Sequence, residues 1–283
     1  MLFSILIANY NNGKYFKDCY NSIISQTYED WEAIIVDDRS TDNSIELITS
    51  IIKDDFRFKL ITNDENKGCG FTKRRCAELG NGEIAGFLDP DDTITSDALA
   101  QMIQAHKNHP EVCLVHSSFY YCNELLERTS VFDRAQSVEV NNRFINQHAS
   151  VTAFSTFKMT FYNLTSGIDP TFLRAVDQDL YLKLSEKGPF HFIDRPLYNY
   201  RIHNKGISTS KVDQAFYWYL KVIMRAEERR KVNLEDEVAE LLNRTNPRNI
   251  EINLANPRYL ILAMMKEFKK KPGRFIKKLF LNR

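Results

Sequence analysis

The sequence predicts an α/β protein built on a mostly parallel, Rossmann-like sheet, with a helical C-terminal extension. Three observations predict it. Short, β-branched apolar runs alternate with longer helical stretches up to about residue 116; apolar strands separated by helices mark a parallel sheet covered on both faces. Polar and acidic residues gather where those apolar runs end. Beyond residue 210 the alternation is gone and the chain turns helical and basic.

Taken in order, "FSILIA" (3–8) is the first strand, and a helical stretch near 14–26 follows it. "EAIIVD" (32–37), a helix over about 43–53 and "FKLIT" (58–62) continue the alternation. A helix near 70–79 precedes "EIAGFL" (83–88), and another near 96–108 precedes "VCLVH" (112–116). The pattern then loosens. "FKMTFYN" (157–163), "FHFID" (190–194) and "LYNYRIH" (197–203) read as strands around a helix at "VDQDLYLKLSEKG" (176–188). Turn-rich "NKGISTS" (204–210) leads to helices over roughly 213–231, 234–243 and 257–270. This organisation predicts one unit over 1–210, dividing near residue 116 into 1–116 and 117–210, followed by the extension over 211–283.

The 283 residues, 43% of them hydrophobic, suffice for a sizeable core. Lys and Arg number 38 against 37 Asp and Glu, so no global field favours nucleic acid. Five cysteines without a CxxC pair argue against a disulfide framework and a thiolate zinc site, and favour a reducing cytoplasm. The apolar opening lacks a basic flank and a cleavage signal, so it reads as a strand. No apolar stretch reaches the roughly 20 residues that span a bilayer.

In open α/β sheets ligands bind beyond the carboxyl ends of the strands. Here those ends carry Ala8-Asn9-Tyr10-Asn11, "VDDRSTDNS" (36–44) and "LDPDD" (88–92). Asp89, Asp91 and Asp92 repel one another unless positive charge intervenes. A hard cation held by one or two carboxylates and completed by substrate phosphates relieves that crowding, and an acidic surface turn is the plain alternative. Asp42 or Ser40 suits the cap of the helix that follows, which leaves Asp37 and Asp38 to accept hydrogen bonds from a ribose or base.

Four ordered segments, "SILIANYNNGKYFKDCYNSIISQTYEDWEAIIVDDRSTDNS", "NKGCGFTKRRCAELGNGEIAGFLDPDD", "AVDQDLYLKLSEKG" and "YRIHNKGIS", resemble the family 2 glycosyltransferases with the A-type nucleotide-binding fold. The likeness covers about residues 3–210. It implies inverting, metal-dependent transfer of a sugar from a nucleoside-diphosphate sugar, most commonly a uridine nucleotide, to an acceptor hydroxyl. Polysaccharide or glycolipid assembly of a bacterial type is the implied setting, with a saccharide or lipid-linked saccharide as acceptor.

By the same resemblance Ala8 and Tyr10 contact the nucleobase, Tyr10 by stacking, and Asp38 reads the base edge. The family's Asp-x-Asp motif falls on Asp89, Pro90 and Asp91: Asp89 on the ribose side, Pro90 fixing the turn, Asp91 ligating Mg²⁺ or Mn²⁺ with Asp92 as a neighbouring ligand. His203 matches a histidine that contacts metal or diphosphate. Asp177 matches the catalytic base, although Val176 stands where the family has Glu; Asp179 is expected to cap its helix. Thr72, Lys73 and Arg74 replace an Ala-Arg-Asn run, so Lys73 is the expected diphosphate contact, without the fork of Arg.

Two other classes fit parts of the pattern. A nucleotidyltransferase also pairs an α/β site with acidic metal ligands, but the first loop supplies only Gly13 where a glycine-rich phosphate loop is usual. A non-catalytic sugar-nucleotide-binding protein would share the fold. The basic, apolar tail "YLILAMMKEFKKKPGRFIKKLFLNR" (259–283) suits peripheral contact with an anionic membrane, placing the protein in the cytoplasm or at the inner membrane face; a helix packed on the catalytic unit is the alternative.

Overall fold

A computed structural model of the chain describes residues 1–203 and 212–245. The predicted helices from 213 and 234 fall within it; the tail helix and the 204–210 joint lie outside the described residues. Strands β1 (Phe3–Asn9), β2 (Trp31–Asp37), β3 (Phe58–Thr62) and β4 (Ile84–Phe87) pair in parallel in the order β3-β2-β1-β4. Between them run α1 (Phe16–Ile24), α2 (Ser44–Ile52) and α3 (Cys69–Leu79). Alternate side chains of β1 divide between two cores. Phe3, Ile5 and Ile7 pack with Phe16 and Ile23 of α1, while Leu6 packs with Cys76 and Ala77 of α3. The expected α/β alternation is therefore how the first half is built.

The second half extends the same sheet. Strand β8 (Ser155–Lys158) lies antiparallel between β4 and β6 (Leu114–Cys122), and β6 pairs in parallel with β9 (Phe190–Arg201). Short β5 (Thr93–Ile94) and β7 (Arg128–Val131) pair antiparallel with β9 and β6. Helix α4 (Ala98–Asn108) connects β5 to β6, and α5 (Met159–Tyr162) ends what the apolar pattern of 157–163 suggested was a strand. The two strands expected over 190–203 are one. Its register against β6 jumps from Ile193 to Pro196, so the proline, which cannot donate to a ladder, sits at an irregularity.

Helix α6 (Val176–Ser185) covers the second core with Leu180, Leu182 and Leu184. The predicted extension begins with α7 (Val212–Arg230), whose Val222 and Ala226 enter that same core. Helix α8 (Glu235–Thr245) closes a third cluster in which Leu234, Val238 and Leu241 meet Ile145 and Ile223.

His106 and His116 are both buried, and burial pushes each imidazole down to about 3. Neither ring nitrogen of His116 meets a hydrogen-bond partner among the described residues, and its ring lies against Phe192. An unsatisfied buried polar group costs about 1–3 kcal/mol, so His116→Phe is expected to raise stability by that order. The gain grows on acidification. Below about pH 6.5 the unfolded imidazole binds a proton that the folded one refuses until about 3, so wild type loses stability as pH falls through that window. Urea melts of both proteins at pH 7 and pH 5 check this; an equal pH dependence would contradict it.

Candidate active site

The carboxyl ends of β1, β2 and β4 lie side by side along one rim of the sheet. At the end of β1, Tyr10 is 44% exposed while Asn9 beside it is buried. Asn9 Nδ2 donates to Asp37 Oδ2 at 2.7 Å, and Ser40 donates both its amide and its hydroxyl to the same carboxylate. Asn11, in the left-handed region at φ 55°, accepts the amides of Thr41 and Asp42. These bonds tie the first two strand-end loops together. Gly13 donates to Ser44 Oγ, and a Cβ there would stand 2.4 Å from Ser44 Cα, so this glycine serves close packing on α2. Asp42 Oδ1 accepts the Ser44 amide from one residue ahead of the cap, which is Asn43 rather than the expected Asp42 or Ser40.

Asp38 is buried and accepts three hydrogen bonds: from Asn63 Nδ2 at 2.7 Å, the Lys67 amide at 2.9 Å and the Gly68 amide at 2.8 Å. It thereby fixes the loop that enters α3. Arg75 supports the arrangement by donating to Asn63 Oδ1. Arg74 points its bonds elsewhere, to Glu78 and to the carbonyls of Ser166 and Ile168.

The Asp89–Asp92 segment closes a turn in which the Asp92 amide donates to Asp89 O at 3.1 Å, with buried Pro90 at its second position, where a fixed φ favours such a turn. Its three carboxylates have different surroundings. Asp91 Oδ2 lies 2.8 Å from His203 Nε2, and the histidine is nearly enclosed. Asp92, expected among the metal ligands, is 2% exposed, with Oδ2 accepting from Tyr198 Oη and Oδ1 from the Arg201 amide, both at 2.7 Å. Burial holds the Asp92 carboxyl well above its ordinary range, with the charges of Asp91 and Asp89 adding to the rise. Asp89 is the open one, its side chain 47% exposed. Desolvation at this rim raises its carboxyl, Lys73 opposes, and Asp91 and Asp177 add to the rise.

Lys73 brings the two acidic sites together. Its side chain is 7% exposed, and its Nζ lies 2.8 Å from Asp177 Oδ1 and 3.7 Å from Asp89 Oδ1. Burial works against the charged amine, but Asp177 and Asp89 outweigh it and hold the ammonium well above its ordinary value. Asp177 stands in the first turn of α6, just after Ala175 in the left-handed region. Asp179 does not cap this helix. It is buried in an ion pair with Lys183 at 2.6 Å, with Arg229 at 3.8 Å.

Sequence reasoning missed Arg201. Its side chain is 4% exposed and donates to Asp91 O, Glu124 O and Asp18 Oδ2, each at 2.7 Å, while lying over the Tyr15 ring. The available signal was spacing: Arg201 and His203 are two apart at a strand end and so share a side. Among the described residues no three His, Cys, Asp or Glu side chains form a ready metal cage.

Separated carboxylates and a buried lysine thus gather at the strand ends of an α/β sheet, where ligands of such sheets bind. The family described as Glycosyl transferase family 2 matches residues 4–172, and the chain belongs to it. It is 30% identical over 224 residues to the chondroitin synthase of Escherichia coli, covering 78% of this chain. The chain spans 32% of that relative's length. Among solved structures, residues 1–349 of S. aureus TarS in complex with UDP-GlcNAc superpose with TM-score 0.72 at 18% identity, covering 98% of this chain and 81% of that one. The mannosyltransferase PcManGT of Pyrobaculum calidifontis, solved with GDP-Man and Mn²⁺, gives 0.63 at 14% identity over 100% and 88% of the two chains. At these identities the structural likeness speaks for the fold.

Proposed function

We propose that the protein is an inverting glycosyltransferase that moves a sugar from a nucleoside-diphosphate sugar, a UDP-sugar by preference, to a saccharide hydroxyl. The observation that carries this reading is Lys73, one buried cation within 4 Å of both the donor-side Asp89 and Asp177. Tyr10 offers an exposed ring for the base to stack on, beside Ala8. Asp38 has three of about four carboxylate lone-pair positions filled, leaving one for the base edge. Asp89, open at the rim, holds the ribose, and Lys73 offers its charge to the diphosphate.

Asp91 and His203 fit a divalent cation: a carboxylate oxygen and an imidazole nitrogen already 2.8 Å apart, at a site short of ligands that substrate phosphates would complete. Bound there, Mn²⁺ or Mg²⁺ supplies Lewis-acid stabilisation to the leaving diphosphate. Asp92, with both oxygens engaged by β9, is assigned to holding the turn. Asp177 takes the proton from the acceptor hydroxyl as that oxygen attacks in line, and Lys73 orients the carboxylate until then.

Polysaccharide assembly is the favoured setting, supported by the name of the chondroitin synthase to which the chain is similar. A lipid-linked acceptor at the inner face of a membrane remains part of this proposal through the basic tail. No described helix is long and apolar enough to cross a membrane. The test is a panel of sugar nucleotides with MnCl₂, scored for nucleoside diphosphate release and thermal stabilisation. Release from one donor supports transfer. Pyrophosphate release from a nucleoside triphosphate would make the protein a nucleotidyltransferase, and metal-dependent binding without turnover would make it a binding protein.

A further inference from the structure

Helix α7 ends on Arg230, whose side chain is 3% exposed. A guanidinium has five N–H donors, and here five bonds radiate from it. Nε donates to Glu186 Oε1 at 2.9 Å, Nη2 to Leu182 O at 2.9 Å and Ser185 Oγ at 3.1 Å. Nη1 donates to Phe144 O at 2.6 Å and Asn142 O at 3.3 Å. Leu182 O and Ser185 belong to the last turn of α6, where carbonyls lack helical partners and a cation is favoured. Asn142 and Phe144 belong to the loop that follows β7. Arg230 thus joins α7 to the end of α6 and to the loop after β7.

Neighbouring bonds repeat the pattern. Arg229 pairs with Glu186 at 2.9 Å and reaches Asp179, which Lys183 neutralises within α6. On the loop side, Arg143 pairs with Glu237 of α8 through two bonds, and Tyr219 of α7 donates to Ile145 O. Asn146 then reaches back to α6, donating to Gln178 Oε1 at 2.8 Å, one residue from Asp177.

We propose that Arg230 is a positioning residue for sugar transfer: it sets α6, which carries Asp177, against loop 141–151 as a wall of the acceptor side. A ten-residue helix moves as a rigid rod of about 15 Å, so a shift at its last turn arrives at its first. The donor residues sit at the ends of β1, β2 and β4 and, for Lys73, on α3; no bond of Arg230 reaches them, and α6 meets them through the Lys73–Asp177 bond. This inference rests on the reading of Asp177 as the base.

The experiment compares Arg230→Lys and Glu237→Gln with wild type. Lysine keeps the charge but loses the fork, and Glu237→Gln loosens the loop from α8 without touching Arg230. Three quantities are read: UDP affinity and stoichiometry in MnCl₂ by calorimetry, UDP release from each UDP-sugar of the panel, and hydrogen exchange of α6 amides. For Arg230→Lys we expect one UDP bound per chain with unchanged affinity, faster exchange in α6 but not in β1, and turnover lowered about tenfold to a hundredfold, as a misplacement near 1 Å would give. Glu237→Gln should move turnover in the same direction by less. Wild-type turnover in both variants, or loss of UDP binding in step with turnover, would overturn the inference. Asp177→Asn is run beside them: if it retains turnover, the assignment of the base fails, whatever Arg230 does.

Discussion

Asp177→Asn is expected to bind UDP and Mn²⁺ as wild type does and to transfer sugar about 10² to 10⁴ times more slowly, the usual contribution of a general base. The substitution keeps the size of the side chain and removes its capacity to take a proton. Its structural cost is small. The Asp177 side chain is 42% exposed, and Lys73 keeps the carboxylate of Asp89 at 3.7 Å when its partner at 2.8 Å becomes an amide. Bonds among Asn9, Asp37, Asp38 and Asn63 do not involve α6, and Lys73, proposed to face the diphosphate, keeps its charge when Asp177 loses its own, so nucleotide affinity is expected not to fall. Steady-state release of nucleoside diphosphate, set beside calorimetry of UDP, separates the two effects. Unchanged turnover would remove Asp177 from the mechanism. A parallel loss of UDP affinity would place it on the donor side instead.

The contrast between these residues shows how far the sequence could be read. Strand-end placement of Ala8, Tyr10, Asp38 and Asp89 followed from near-continuous apolar runs, because a strand buried on both faces leaves its chemistry to its end. The same logic could not separate Asp91 from Asp92. Adjacent residues on a turn look alike in sequence, and what divides them here is β9, more than a hundred residues later, whose Tyr198 hydroxyl and Arg201 amide take both oxygens of Asp92. Lys73 was expected at the diphosphate from the resemblance alone, and its bond to Asp177 spans 104 residues and depends on how α3 and α6 face each other. Asp179 misled for a related reason. An acid in the first turn of a helix suggests a cap, yet burial beside Lys183 and Arg229 decides its role. Composition marked everything after 210 as an extension because its charge pattern changes, while the apolar side chains of α7 that enter the core are too few to show against that background.

Asp91→Ala is expected to abolish the strengthening of UDP binding by Mn²⁺ while leaving metal-free binding in place. Removing even a residue that only supports a metal ligand costs about 10 to 100-fold in metal affinity, so loss of a carboxylate ligand should cost at least that. His203→Ala should act in the same direction, since its imidazole lies 2.8 Å from the Asp91 carboxylate. Asp92→Asn separates turn from metal. There an amide nitrogen replaces one of two acceptors that β9 uses, leaving a buried donor opposed or unpaired at about 1–3 kcal/mol. The expected result is a lowered melting temperature with the response of UDP binding to Mn²⁺ preserved. Titrating UDP into each variant with and without MnCl₂, alongside thermal melts, reads all three. A full Mn²⁺ response in Asp91→Ala would move the metal away from this carboxylate. Loss of that response in Asp92→Asn at unchanged stability would return Asp92 to the ligand set, because a residue that merely holds the turn to β9 cannot lose its partners without loosening the fold.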